Sequence, residues 1–272
     1  LLRKLKIPSG YIRWLLPAFQ KASRLIQKKN IHTVFCVSNP VTSQILGIVL
    51  KIKHPSIKYI AELRDPLRGY FRSRHHETVN FIIEKMIGRY ADQIIEWEDF
   101  TPVQFTEKFN HLGFKCNTIP CVGYDPDEYT GYRPEFIYRD RLNIVYTGGY
   151  YGEKNLWRIF LSVISDLVQD GLAIQFNYYG DWTPEQTKIV DRHTVNDQDW
   201  LTRHGRVSKK KCIQASMESN ALLYLLEPDP ENMCRISSKL YDYLASRRPI
   251  LAIAPDNSRA AQKIQTISRE YL

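Results

Sequence analysis

Residues 237–253, SSKLYDYLASRRPILAI, concentrate anion-binding chemistry at one point of the chain. Ser237, Ser238, Lys239 and Asp242 crowd the start of a helix whose buried stripe is Leu240, Tyr243 and Leu244. Unpaired N–H groups and the positive end of the helix dipole make such a start attractive to an anion. A second corner of this kind is NIVYTGGYYGEKN, residues 143–155, which reads strand, glycine turn, helix. Gly148 and Gly149 let the main chain approach a phosphate, and Lys154 brings a cation to the helix start. Two corners, each armed with a lysine, can neutralise the charge of a bound anion without a metal ion.

Further polar groups end apolar strands. Ser38, Asn39 and Pro40 follow strand 31–37, and Arg64 and Asp65 follow strand 57–63, ahead of the helix-blocking Pro66. Ligands gather at the carboxyl edge of open α/β sheets. Asp65 is a candidate base if its pKa is raised; the alternative is a structural Arg–Asp pair that fixes the turn. Arg206 to Ser208 precede another helix. No metal is expected: Asp125-Pro126-Asp127 falls in a linker, Asp197 and Asp199 lie in a polar loop, and the seven His residues lack the spacing of a ligand pair. No other cofactor is indicated. P-loop, G-x-S-x-G and G-x-G-x-x-G fingerprints are missing, which leaves hydrolase and dehydrogenase readings without support.

The elements that must position these residues alternate from end to end. Apolar strands at 31–37, 57–63, 93–95 and 116–119 are separated by helical patterns near 41–53, 76–91 and 101–112. Such alternation means βαβ units and a mostly parallel sheet. Residues 120–141 break the pattern with Pro, Gly, Asp and Tyr and read as a linker. A second series follows: strand 142–146, helix 154–169, strand 173–179, helix 208–219, strand 221–226, helix 238–246 and strand 249–254. The expected domains are therefore 1–119 and 142–272. The first opens on a helix and the last strand has one partial helix after it, so both ends are expected to be incomplete.

Charge is uneven. The net charge is +9, and residues 1–30 hold eight basic side chains and no acidic one. Trp14, Leu15, Leu16, Phe19, Leu25 and Ile26 interleave with those charges. This stretch is either a solvated basic helix packed by its apolar face or a surface for an anionic membrane. Nucleic acid is not expected, because no stacking or recognition motif accompanies the charge. Five cysteines, an odd number without C-x-x-C spacing, point to a reducing, cytoplasmic compartment, peripheral to the inner membrane face if the basic stretch binds there.

Four segments, in order, resemble those of the nucleotide-sugar glycosyltransferases of the GT-B fold, family-four-like branch. They are CVSNPVTSQILG (36–47), ELRDPLRGY (62–70), IPCVGYDPDEY (119–129) and NIVYTGGYYGEKN; the 237–253 run is similar to the branch's donor-diphosphate segment. The resemblance implies two Rossmann-like parallel-sheet domains and metal-independent sugar transfer from a nucleoside-diphosphate donor to a glycan or lipid-linked acceptor. It assigns Gly148, Gly149, Lys154, Arg206, Ser238, Lys239 and Asp242 to the donor, Ser38 and Asn39 to the acceptor side, and Arg64 and Asp65 to catalysis. The chain departs from the pattern at Leu67, Val122, Gly149 and Cys234, where the branch carries Trp, Asn, Arg and Glu, and Asp242 replaces a longer Glu. A sugar-nucleotide epimerase of the same fold and a non-catalytic binding module are the alternatives.

Overall fold

The computed structural model describes residues 12–38, 40–64, 67, 74–97, 116–119, 123–132, 140–149, 154–184, 187–188, 200–228, 233 and 236–270. The chain divides into two compact units, Leu1–Cys121 and Val122–Leu272.

In the first unit a 3-10 turn, Ile12–Trp14, runs into α1 (Leu15–Lys29), followed by β1 (Thr33–Val37), α2 (Thr42–Lys53), β2 (Lys58–Leu63), α3 (Arg74–Tyr90), β3 (Gln93–Trp97) and β4 (Cys116–Ile119). The strands are parallel and lie in the order β1-β2-β3-β4. Apolar strand positions Tyr59, Ala61, Leu63 and Ile94 share one core with Ile48 of α2 and Ile83 and Ile87 of α3. Covering helices bury a parallel sheet, which is why its strands read as apolar runs. The segment near 101–112, expected to be helical, lies outside the described residues.

The second unit contains β5 (Leu142–Thr147), α4 (Lys154–Gln169), β6 (Ile174–Tyr179), β7 (Leu201–Gly205), α5 (Lys209–Met217), β8 (Ala221–Leu225), α6 (Ser238–Ser246), β9 (Ile250–Ile253) and α7 (Arg259–Glu270). All its strands are parallel, in the order β7-β6-β5-β8-β9. Strand β7 was not expected from the pattern of LTRHG. It is an edge strand with mostly exposed side chains, so an apolar run is not required of it. Ile144, Tyr146, Phe176 and Tyr178 pack on Trp157, Phe160, Leu161 and Ile164 of α4, with Trp157 fully buried. Chain order runs outward from β5 in one direction to β7 and then resumes on its other side at β8. That reversal makes the carboxyl ends of β5 and β8 a topological switch point, the place where open α/β sheets bind ligands. Two Rossmann-like units of this kind are the makings of the GT-B architecture.

Part of the segment read as a linker is ordered against the second unit. Pro126–Tyr129 form a 3-10 helix, and the Asp125 carboxylate caps it by accepting from Asp127 N at 3.0 Å. This accounts for the Asp-Pro-Asp triplet as a cap. Among the described residues no helix is long and apolar enough to cross a membrane.

Candidate functional site at the carboxyl edge of the second sheet

Strand β5 ends at Thr147 and turns through Gly148, whose φ of +84° lies in the left-handed region that favours glycine. The turn is held from below by β6: Gly148 N donates to Tyr179 O at 2.7 Å. A Cβ at Gly180 would stand 2.5 Å from Gly148 O, so Gly180 is what lets the two strand ends approach this closely. Helix α6 then braces the turn with two side chains one helical turn apart. Thr147 N donates to Tyr243 Oη at 2.9 Å, and Lys239 Nζ donates to Gly149 O at 3.1 Å and to Tyr146 Oη at 2.5 Å. The ammonium also stands 3.9 Å above the Tyr146 ring, which is stacked in turn on Tyr178.

Every group around Lys239 in this set is neutral. Burial alone moves its pKa, down to about 7, and among the described residues no carboxylate offsets the charge. Other lysines of the molecule sit differently. Lys209 pairs with Glu128, which raises its pKa, and Lys51 pairs with Asp92 at 2.9 Å.

The helix starts of the second unit show the same contrast. Leu156 N, in the first turn of α4, donates to the buried Glu227 carboxylate at 3.2 Å. Ser208 accepts from Lys211 N at the start of α5, and Ser258 from Ala261 N at the start of α7. Ser237 has the extended backbone of a cap residue before α6, but its hydroxyl makes no cap bond and lies 3.5 Å from Tyr224 Oη. Among the described residues, α6 alone of these four helices begins without a side-chain acceptor. The α6 start and Lys239, braced on the Gly148–Gly149 turn, thus form one corner suited to an anion.

The other expected donor-side residues are dispersed. Ser238 is the first residue of α6 and exposed. Lys154 is the first residue of α4; its side chain lies outside the described residues. The start of α4, expected to face an anion, is already met by Glu227. Arg206 follows the edge strand β7 and is exposed, two strands away from β5. Asp242 does not stand open: its carboxylate accepts from Tyr129 Oη at 2.8 Å, and burial together with Asp242 raises the tyrosine's pKa. With the Glu128–Lys209 pair, this bond docks the 3-10 helix on α5 and α6. A cavity of about 440 Å³ opens beside it, lined by Asp127, Tyr132, Lys210 and Ile213 among others, and no residue that contacts Lys239 lines it.

At the edge of the first sheet, Ser38 and Arg64 are locked in place. Ser38 N donates to Glu62 O, and Ser38 Oγ accepts from Arg64 N, each at 2.8 Å. The Arg64 guanidinium donates to Glu62 Oε1 at 2.9 Å and lies over the Trp97 ring, whose Nε1 donates to the same oxygen. Helix α2 starts at Thr42, so neither Thr42 nor Ser43 is its cap; Ser43 Oγ instead donates back to Val37 O and Pro40 O, closing the turn. Asn39 and Asp65 lie outside the described residues.

Sequence reasoning missed Tyr146, Tyr243 and Tyr129 as site-shaping residues. Only Tyr243 left a signal, its four-residue spacing from Lys239 on one helix face.

No family profile and no curated protein matches the chain. Solved structures do. The Anabaena protein HepE in complex with UDP and glucose aligns with a TM-score of 0.56 at 11% identity, over 97% of this chain and 73% of that one. The UDP-GlcNAc 2-epimerase from Methanocaldococcus jannaschii aligns with a TM-score of 0.53 at 9% identity, over 92% and 68%. The lipopolysaccharide outer core galactosyltransferase WaaB aligns with a TM-score of 0.52 at 16% identity, over 92% and 63%. At these identities the likeness is one of fold: GT-B, the fold of epimerases and transferases that handle nucleotide sugars.

Proposed function

We propose that the second unit binds a nucleoside-diphosphate sugar at the β5/β8 switch point and that the protein processes that sugar. The observation that carries this reading is the Lys239 ammonium, held beneath a glycine turn by groups that are all neutral among the described residues, next to a helix start with no side-chain cap bond among them. A diphosphate supplies the negative charge that Lys239 lacks among the described residues, taking the N–H groups of the α6 start as further donors. Lys154, Ser238 and Arg206 are proposed as outer contacts of the donor. Asp242 is engaged by Tyr129, so contact with the donor requires the two to share the ligand.

In the first unit, Ser38 and Arg64 build the strand ends that carry Asn39 and Asp65. Those two are proposed for the acceptor side and for proton transfer, respectively.

Of the reactions such a site serves, epimerisation of a UDP-sugar has the better support, because 2-epimerases recur among the structurally similar proteins. Transfer to a glycan or lipid-linked acceptor is the second reading, favoured by the 237–253 segment. The two separate in one experiment. The full chain is incubated with UDP-N-acetylglucosamine or UDP-glucose, with and without glycan acceptors, and the products are resolved by NMR. An epimer formed without acceptor establishes the first reaction. Sugar consumed only with acceptor establishes the second, and UDP binding without turnover leaves a binding module. No calorimetric binding of UDP overturns the reading altogether.

A further inference from the structure

We propose that the outward face of α1 is a docking surface for an anionic lipid bilayer. Helix α1 buries one apolar stripe in the fold and, with the turn before it, presents a mixed apolar and basic face to solvent. Leu15 and Ile26 are buried with Leu46 and Leu50 of α2 and with Ile57, and Ala22 completes this inner stripe. Trp14, Lys21, Leu25 and Lys28, spaced by seven, four and three residues, line up on a different face. Trp14 is 49% exposed and Leu25 41%, large apolar side chains presented to solvent between cations. Arg24 flanks the stripe, Arg13 precedes it and Lys29 ends the helix, all exposed. The stripe runs for about 20 Å at the helical rise.

Charge decides the occupant. Among the described residues 12–30 there are five basic side chains, Arg13, Lys21, Arg24, Lys28 and Lys29, and no acidic one, so the surface complements a negative plane rather than a mixed protein surface. An indole and a leucine among lysines suit the boundary of headgroups and acyl chains, where the apolar side chains enter and the ammonium groups stay at the phosphates. Nucleic acid fits less well. Trp14 and Leu25 lie in line with the cations rather than forming a stacking platform, and Leu25 gains nothing from a phosphate backbone.

The inference concerns the first unit and stands apart from nucleotide binding by the second. The test is co-sedimentation of the full chain with vesicles of phosphatidylcholine alone or with about a third phosphatidylglycerol. We expect binding to the mixed vesicles only, largely released by 0.5 M salt. Lys21→Glu with Lys28→Glu should weaken partitioning by more than about tenfold. Trp14→Ser with Leu25→Ser should weaken it by about tenfold, with the circular dichroism spectrum and UDP affinity unchanged in both. Absence of binding to the anionic vesicles overturns the proposal. So does binding that neither double variant alters, or a loss of RNA binding in both variants with vesicle binding intact.

Discussion

The carboxyl edges of the two sheets carry similar polar side chains and spend their charge differently. In the first unit, the Arg64 cation meets the Glu62 carboxylate, which also accepts from Trp97, and Ser38 is bonded to the backbone on both sides. In the second, Lys239 meets a tyrosine ring, a hydroxyl and a carbonyl, and the helix start beside it has no side-chain cap. A cation with its counter-ion stabilises a strand end. A cation held by neutral groups bears a desolvation cost that a ligand's charge can relieve, which is why perturbed lysines mark sites more often than paired ones do.

The sharpest way to break this contrast is to remove each cation in turn. Lys239→Ala should lower UDP affinity by about 10- to 100-fold, the worth of one charged hydrogen bond of about 1.5–3 kcal/mol, while Arg64→Ala leaves it unchanged in calorimetry. Equal losses from both would erase the distinction between the edges. Gly180→Ala should come next. Its Cβ meets the Gly148 carbonyl, so the turn must move, at about 1–3 kcal/mol of stability in urea unfolding and with weaker UDP binding. A matching change at Gly123, which has open space around it, should alter neither.

Protons report the same difference. With a folded-state pKa of about 7, Lys239 is half protonated at neutral pH, and a bound diphosphate should fill it. UDP binding at pH 7 should therefore take up about half a proton, read from calorimetry in buffers of different ionisation heat. Because the folded pKa lies below the unfolded one, this residue's contribution makes the ligand-free protein more stable as pH rises from about 7 towards 10.5. Lys239→Met should flatten that rise in thermal melts. The smallest effect should come from Tyr129→Phe, which removes the bond to Asp242 at a cost of about 0.5–1.5 kcal/mol and frees that carboxylate. A gain in UDP affinity on this change would show that Asp242 serves the ligand.

Much of this architecture was legible in the chain. Apolar runs such as Tyr59–Leu63 and Ile144–Tyr146 had to be buried strands, the helical stripes between them had to cover the sheets, and parallel pairing followed from the alternation. The polar edge strand β7 was not legible, since a strand that buries so little needs no apolar signature. The glycine turn and Lys239 were both named from local pattern, because a helix start and a permissive backbone are properties of neighbouring residues. Their meeting was not a local fact. It depended on β5 and β8 lying side by side across a sequence gap of more than seventy residues.

The sequence by itself determined the α/β class, the position of most elements and the uneven charge of residues 1–30. Local propensity and hydrophobic periodicity act within a few residues of each other, and these features need nothing more. Only the tertiary structure decided which charges were neutralised: Glu227 at the start of α4, Tyr129 on Asp242, Glu62 on Arg64, and, among the described residues, no acidic partner for Lys239. It also decided that Trp14 and Leu25 face outward while Leu15 and Ile26 are buried. Compensation of charge and burial of a face depend on what the fold brings within a few ångströms, and no spacing along the chain records that.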